Sequence, residues 1–405
     1  MIVMAKLPQI QLQSTLVKNK AVAGEKFNQK GSLQIAPRDD AAKSLPANII
    51  LILDCSGSME GHPMDLLNAA IDKVSQKMRP TDVLSIVAFG ADAKIIIQEF
   101  SKDKIFQGIP QLITMGNTNY FGAFEKTIDL VKNKNTTRKL KGDDVHAVAK
   151  TALFLSDGQP NDPRPYEQLV KEFMNSGFSL HAMGLGGSVD PVKLQEIVEI
   201  AGGIYFHADD EEELEKGLQE MLGFSQNLVY SLPKLEITVF PGVVLYNLNL
   251  VAPPRELESL LEEGNHEVNL PDIQSGADLQ LVFDIAVETP HEEGEYQDLV
   301  EWNMANAQSE TTRIQWVNMQ TVLLAPVSTR PVVLTKIFEG LDAVKNGNTM
   351  LSTRIAESLA KIPNNPLAES GATLVTDVSN SGQSQGKLLS TLSKTTTKRD
   401  GLKTK

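Results

Sequence analysis

Cysteine is almost missing from this sequence, because Cys55 is the only one among 405 residues. A single cysteine excludes an intramolecular disulfide, and with it the disulfide-stabilised class of small secreted folds. Long apolar runs are missing too, since no stretch of about 18 apolar residues predicts a membrane span. The first residues, MIVMAKLPQIQLQ, lack the apolar core of a signal peptide. We therefore expect a protein of the reducing cytoplasm.

Basic residues are in deficit, with 38 Lys and Arg against 51 Asp and Glu and a net charge of −13. Binding to nucleic acid requires clustered Lys and Arg to neutralise phosphates, so this balance argues against a nucleic-acid-binding protein. The hydrophobic share of 41% is ordinary for a globular chain with a buried core. The length predicts two or three domains.

Strand and helix patterns alternate regularly between residues 46 and 224. This alternation predicts an α/β domain with a mostly parallel sheet and helices on both faces. Its first strand, Asn48 to Asp54, is an uninterrupted apolar run, as expected of a strand covered on both sides. A helix over Asn119 to Lys132 is predicted from an apolar stripe formed by Phe121, Phe124, Ile128 and Val131.

The flanking sequence has a different pattern. Apolar and polar residues alternate within 5–40 and 228–328, which predicts one discontinuous β-sandwich into which the α/β domain is inserted. Residues 331–362 predict a helical hairpin that turns at Asn346-Gly347-Asn348. Residues 367–405 are rich in Ser, Thr, Gly, Gln and Lys, so we expect a flexible tail there.

The segment Asp54-Cys55-Ser56-Gly57-Ser58 lies at the carboxyl end of the first strand of the α/β domain. Ligands of open α/β sheets bind at this carboxyl edge, where the strand order reverses. One carboxylate and two hydroxyls are hard oxygen donors, which suit magnesium or manganese better than zinc or copper. The sequence therefore predicts a divalent-cation site in this loop.

This loop resembles the metal-ion-dependent adhesion site of the von Willebrand factor A (VWA) family, and the resemblance covers about residues 46–224. In that family an Asp-x-Ser-x-Ser loop, a later threonine and a later aspartate form the site. Gly116-Asn117-Thr118-Asn119 precedes the predicted helix, and the family more often has two glycines before this threonine. The residues that match the family site are Asp54, Ser56, Ser58, Thr118 and Asp157.

The resemblance implies that the two serines and the threonine hold the cation directly, while the aspartates act largely through water. Neutral hydroxyls leave the ion electrophilic, so a carboxylate from a partner can complete its coordination. We expect a bacterial protein without enzymatic activity that binds Mg²⁺ (or Mn²⁺ or Ca²⁺). Its partner would be a protein that presents Glu or Asp to the metal in a stress-response or signalling complex.

Two other functions are compatible with the sequence. One is a structural or assembly subunit that contacts partners through the sandwich and the tail. The other is a hydrolase, which is disfavoured because aspartyl-phosphate enzymes need a second carboxylate two residues after the first, and position 56 is serine. No catalytic motif surrounds Cys55.

The tail contains a cluster of candidate phosphoacceptors, Thr395, Thr396 and Thr397, beside basic residues. Phosphorylation there would create an anion that a reader domain can bind. The spacing from Thr397 to Asp400 resembles the pattern preferred by forkhead-associated domains, so a kinase or a forkhead-associated reader is a candidate partner. The basic run Lys132 to Lys141 is interpreted as a solvated loop or a docking segment for an acidic partner.

Overall fold

The structure is a computed structural model that describes residues 9–38, 45–105, 108–132, 148–157, 159–186, 189–201, 203–288, 291–305, 307–363, 365–379, 395–398 and 401–404. The strands are β1 (Ile10–Leu16), β2 (Lys20–Val22), β3 (Phe27–Pro37), β4 (Ala47–Asp54), β5 (Val83–Phe89), β6 (Ala93–Ser101), β7 (Ala149–Ser156), β8 (Ser179–Leu185), β9 (Tyr205–Ala208), β10 (Leu228–Tyr230), β11 (Lys234–Val239), β12 (Val243–Leu250), β13 (Arg255–Leu261), β14 (Gly264–Asn269), β15 (Ile273–Gln274), β16 (Ala277–Val287), β17 (Tyr296–Asn303), β18 (Glu310–Val317), β19 (Thr395–Lys398) and β20 (Gly401–Thr404). The helices are α1 (His62–Lys77), α2 (Lys102–Ile105), α3 (Tyr120–Lys132), α4 (Glu167–Met174), α5 (Pro191–Ala201), α6 (Glu211–Gln226), α7 (Met319–Leu324), α8 (Arg330–Lys345), α9 (Thr349–Ala360) and α10 (Pro366–Ser379).

The described residues fall into two compact units. One unit contains residues 45–232, and the other contains 9–38, 233–379 and the two strands β19 and β20. The first unit is an α/β domain, and its boundary lies after β10. Within the described residues, no helix is both long and apolar enough to span a membrane.

The α/β unit is built on a six-stranded sheet in the order β6-β5-β4-β7-β8-β9. All neighbours are parallel except β5 and β6, which form an antiparallel pair at one edge. The predicted mostly parallel sheet is therefore confirmed. Strand β4 lies between β5 and β7, where the chain order reverses, and the crevice at such a point is where ligands of this fold class bind.

Helices cover both faces of this sheet. Ile49, Leu51 and Leu53 of β4 pack in one core with α1 and α6, while Ile50 and Ile52 pack in the other with α3, α4 and α5. Both sets of side chains are excluded from water, which is why β4 reads as a continuous apolar run rather than an alternating one.

The second unit contains two mainly antiparallel sheets, with strand orders β1-β3-β16-β12-β13 and β14-β11-β17-β18-β2. Strand β2 is the exception, because it lies parallel to β18. The N-terminal strands thus pair with strands from beyond residue 233 in both sheets. Large apolar side chains fill this unit, and the rings of Phe283 and Trp302 lie 5.1 Å apart.

The structure corrects the expectation of a flexible tail for residues 367–379, and residues 380–394 of that predicted tail lie outside the described part of the chain. Helix α10 packs against α8 and α9, so the predicted hairpin of two helices is a group of three. Its buried residues are mostly small: Ala368, Gly371, Ala372, Leu374, Val375 and Val378. Small residues among Ser and Thr give a weak apolar signal, which is why composition alone suggested disorder.

The candidate phosphoacceptors are also placed in regular structure. Residues 395–397 belong to β19, which pairs with β20 and with Ala277 and Asp278 of β16. Their phosphorylation stays a prediction. In the basic run, Lys132 ends α3, and residues 133–141 lie outside the described part of the chain.

Candidate metal centre

The candidate metal loop starts where β4 ends, at the central position of the sheet. Asp54 is the last residue of β4, and a single 3₁₀ turn over Gly57–Met59 follows it. The loop is anchored to the neighbouring strand because the backbone N–H of Cys55 donates to the carbonyl of Phe89 at 2.6 Å. Asp54 is fully buried and Ser56 is 2% exposed, whereas Ser58 is exposed.

A chain of short contacts joins four of the five predicted site residues. The hydroxyl oxygens of Ser56 and Ser58 lie 3.0 Å apart, and the Ser58 hydroxyl donates to Asp157 Oδ1 at 2.9 Å. The backbone N–H of Ser56 donates to Asp54 Oδ1 at 2.8 Å. Residues separated by about a hundred positions therefore meet at one edge of the sheet.

The fifth residue, Thr118, is brought to the site by the main chain of its loop. The N–H of Gly57 donates to the carbonyl of Gly116 at 2.6 Å, and the N–H of Met115 donates to the carbonyl of Cys55 at 2.6 Å. Gly116 has a φ of +85°, a conformation that favours glycine. Thr118 itself is 5% exposed, so its loop lies directly against the metal loop.

Two hydroxyl residues that the sequence analysis did not select hold Asp54 in place. The Ser156 hydroxyl donates to Asp54 Oδ2 at 2.5 Å, and the Tyr120 hydroxyl donates to Ser156 Oγ at 3.0 Å. Ser156 directly precedes Asp157 and Tyr120 follows Thr118 by two residues, which is the available sequence signal. Their roles depend on contacts between elements, so periodicity did not reveal them.

The residues buried in the first turn of α3 differ from those of the predicted apolar stripe. Tyr120 is 1% exposed and packs in the core, whereas Phe121, which the sequence placed on the stripe, is half-buried. A third missed residue, Asn161, ties the Thr118 loop to the loop after β7. Its Oδ1 accepts from the N–H of Thr118 at 3.0 Å, and its own N–H donates to the Thr118 carbonyl at 2.8 Å.

Burial controls the protonation of the site. Removal from water raises the pKa of Asp54 to about 6, against the lowering effect of hydrogen bonds from Ser156 and Ser56. Burial also raises the pKa of Asp157. Burial disfavours the ionised forms of both carboxyl groups. A nearby cation would stabilise these ionised forms. The Cys55 thiol, with a pKa raised by burial to about 12, stays protonated at neutral pH.

The spacing of the two serines fits a magnesium ion. Octahedral Mg²⁺ has oxygen ligands at about 2.0–2.1 Å, so adjacent ligand oxygens lie about 2.8–3.0 Å apart. The observed separation of the Ser56 and Ser58 hydroxyls is 3.0 Å. Among the described residues, no group of three His, Cys, Asp or Glu side chains is arranged to hold a metal.

Comparison with known proteins identifies the α/β domain. Residues 48–221 match the family model of the von Willebrand factor type A domain. This segment is a VWA domain. Its match covers the six strands of the mostly parallel sheet, except Ala47 at the start of β4, and the loops that carry the candidate metal site.

Curated relatives resemble part of the chain. The chain is 25% identical over 265 residues to the uncharacterized protein YfbK of Escherichia coli (strain K12), which covers 63% of this chain and 44% of that protein. It is 24% identical over 186 residues to human inter-alpha-trypsin inhibitor heavy chain H4, covering 42% of this chain and 19% of that protein. The matched part of the chain thus spans less than half of the length of either relative.

Two solved structures resemble nearly the whole chain. A von Willebrand factor type A protein from Catenulispora acidiphila has a TM-score of 0.68 at 15% identity and covers 93% of this chain and 91% of its own. The ArnB paralog VWA2 from Sulfolobus acidocaldarius has a TM-score of 0.61 at 16% identity and covers 95% and 97%. At these identities the likeness establishes the fold, which includes the elements that flank the VWA domain.

Proposed function

We propose that this protein is a metal-dependent protein-binding module. A divalent cation, Mg²⁺ in the first place and otherwise Mn²⁺ or Ca²⁺, would be held by Ser56, Ser58 and Thr118 and would bind a Glu or Asp side chain of a protein partner. The observation that supports this most strongly is the 3.0 Å separation of the two serine hydroxyls, which falls within the range of about 2.8–3.0 Å between adjacent ligands of octahedral magnesium.

The protein's own groups would orient the hydroxyl ligands. Asp54 accepts a hydrogen bond from the N–H of Ser56, and Asp157 accepts one from the Ser58 hydroxyl. The two aspartates would therefore hold the loop that carries both serine ligands. Bound between neutral oxygens, the cation supplies an electrophilic position that a carboxylate can occupy. The exposed position of Ser58 leaves one side of the site open to a partner.

We infer a bacterial and cytoplasmic setting, in a stress-response or signalling complex. The sole cysteine is buried, which suits a reducing compartment, and one curated relative is from Escherichia coli. A protein kinase or a forkhead-associated reader acting on Thr395, Thr396 or Thr397 is a further candidate partner. In this proposal the chain performs no catalysis.

A second candidate function is an assembly subunit that binds partners through the unit containing the sandwich. The supporting observation is a group of exposed apolar side chains on and after α7: Met319 at 49%, Leu323 at 70%, Leu324 at 80% and Val327 at 57% exposure. In that case the metal would be accessory, and partner binding would persist without it.

Affinity purification in Mg²⁺ and in EDTA separates the two functions. We expect wild type to retain specific partners in Mg²⁺ and to lose them in EDTA, and expect Ser58→Ala and Asp54→Ala to lose them in both. Ser176→Ala, which alters a half-buried serine after α4, is the matched control and should behave as wild type. Undiminished recovery in EDTA would favour the assembly role. Calorimetry that detects no uptake of Mg²⁺ or Mn²⁺ would overturn the docking proposal.

A further inference from the structure

An arginine beside the candidate metal site lies over an aromatic ring. The guanidinium carbon of Arg164 lies 4.1 Å from the centre of the Phe121 ring. Two bonds to one carboxylate fix the guanidinium plane, since Nε donates to Asp162 Oδ1 at 2.9 Å and Nη2 donates to Oδ2 at 2.6 Å. The Arg164 side chain remains 51% exposed.

The stack is close to the residues proposed to hold the metal. Thr118 and Asn161 are joined by the two hydrogen bonds described above, and Phe121 and Arg164 each follow one of them by three residues. Three residues span at most about 11 Å of chain. A segment of a partner that reaches the metal would therefore also reach this stack.

The surroundings favour an aromatic group over a second acidic group. Asp162 pairs with the guanidinium, and the charge of Glu125 also acts on it, so the local charge does not attract another anion. Residues 108–124 contain no charged side chain, and Ile113 in that segment is 72% exposed. A guanidinium that is already paired still offers its flat face for stacking, and aromatic residues are frequent anchors of interfaces.

We propose that the Phe121–Arg164 stack is a specificity surface that receives an aromatic side chain of the partner, next to the acidic residue bound at the metal. This inference rests on the proposed function, because it assumes that the acidic residue is held at Ser56, Ser58 and Thr118. An extended chain advances about 3.3 Å per residue. The aromatic residue is therefore expected about three positions from the acidic one.

Dye-labelled synthetic peptides provide the probe. Fluorescence anisotropy in Mg²⁺ would compare Gly-Glu-Gly-Gly-Trp-Gly with the same peptide carrying Leu for Trp, and with the same peptide carrying Gln for Glu. We expect the Trp peptide to bind wild type about five- to tenfold more tightly than the Leu peptide, from stacking on the guanidinium. Arg164→Met, which keeps the apolar stem but lacks the planar group, should bind both peptides equally. Arg164→Lys should keep a smaller preference for Trp, because an ammonium group keeps the cation–π attraction but has no planar face to stack.

Arg313→Met is the matched control, because Arg313 also forms an exposed pair with a single aspartate, Asp298, in the other unit. It should keep the preference for Trp, and all variants should keep the wild-type affinity for Mg²⁺ by calorimetry. A wild type that binds Trp and Leu peptides equally, or an Arg164→Met variant that still prefers Trp, would overturn the inference. Equal binding of the Glu and Gln peptides would instead overturn the proposed function, so the two failures are distinguishable.

Discussion

The Asp54 carboxyl group is oriented by hydrogen bonds to both of its oxygens. One comes from the N–H of Ser56 and the other from the Ser156 hydroxyl, which in turn accepts from Tyr120. The outer members of this chain lie on other elements, β7 and α3. The position of Asp54 therefore depends on how three elements pack together, and so would the metal affinity that we propose.

Removal of these outer hydroxyls should weaken metal binding without unfolding the domain. We expect Ser156→Ala to lower the Mn²⁺ affinity about tenfold, within the range found for groups that orient metal ligands. Tyr120→Phe should have a smaller effect, because its hydroxyl acts through Ser156. Isothermal titration calorimetry measures both.

Tyr166→Phe is the matched control for these variants. Tyr166 lies in the same aromatic cluster, with its ring 5.5 Å from that of Tyr120, and it is not part of the hydrogen-bonded chain to Asp54. Its Mn²⁺ affinity should equal that of wild type. Wild-type affinity in Ser156→Ala would show that the contact to Asp54 has no part in metal binding.

His181 makes the stability of the VWA domain depend on pH. The imidazole is 1% exposed, and Nδ1 accepts from the N–H of Ile204 at 3.0 Å. The ring lies at 5.0 Å from Phe224 in an edge-on arrangement. Burial lowers the pKa of His181 from 6.5 to about 3. Because Nδ1 accepts this hydrogen bond, the proton that would charge the imidazole has to bind at Nδ1. There it would repel the hydrogen of the Ile204 N–H.

The folded pKa of His181 is below the unfolded value, so the unfolded state takes up the proton first as pH falls. Its contribution to stability is therefore complete above about pH 6.5 and decreases towards pH 3, by up to about 1.4 kcal/mol per pH unit. We expect the difference in unfolding free energy between wild type and His181→Asn to shrink from pH 7 to pH 4.5. Asparagine keeps an acceptor oxygen and cannot titrate. Denaturant unfolding at each pH measures this difference, and a constant difference would exclude the effect.

At the scale of elements, α10 shows how small residues permit close packing. A Cβ atom on Gly371 would lie 2.5 Å from Ile337 of α8, and one on Gly340 of α8 would lie 2.9 Å from Val375 of α10. Each helix thus has a glycine where the other approaches. The two glycines allow this close approach only if α10 is packed against α8.

Substitution at Gly371 tests whether α10 is packed or part of a flexible tail. We expect Gly371→Ala to destabilise the unit by about 1–3 kcal/mol, because the added methyl group overlaps Ile337 and overpacking is unfavourable. Thr376→Ala, at an exposed position of the same helix, is the control and should have little effect. Thermal unfolding measures both. A stabilised Gly371→Ala variant would indicate that helix propensity, and not packing, controls this segment.

At the scale of the whole molecule, two compact units share one chain, and the candidate metal site lies within one of them. A ligand stabilises the state that binds it and has no direct effect on a unit that does not contact it. Metal binding should therefore act selectively on the VWA domain.

Hydrogen exchange with and without Mn²⁺ tests this selectivity. At a concentration 100-fold above the dissociation constant, we expect the metal to stabilise the VWA domain by about 2.7 kcal/mol. Slower exchange should appear in β4, β7 and α1 and not in β11, β12 and β16. Asp54→Ala should remove the difference. Equal protection of both units in wild type would contradict a site confined to the VWA domain.

Local patterns in the sequence determined the α/β fold and the Asp54–Ser58 loop, and the resemblance to the VWA family added Thr118 and Asp157 to the candidate site. The apolar run of β4, the alternation of strands and helices, and the residues that follow each strand are all local features, and the rule that parallel strands end at one edge places them together. Ser56, Ser58 and Asp157 meet as that rule requires.

Only the tertiary structure decided which side chains support that site and how α10 is packed. Ser156, Tyr120 and Asn161 acquire their roles through contacts between segments far apart in the chain, as in the bond from Ser156 to Asp54 across 102 positions. Such contacts depend on strand register and on the seating of each helix, which hydrophobic periodicity does not specify. Helix α10 was missed for the same reason, because its small buried residues are recognisable as a packing surface only beside α8 and α9.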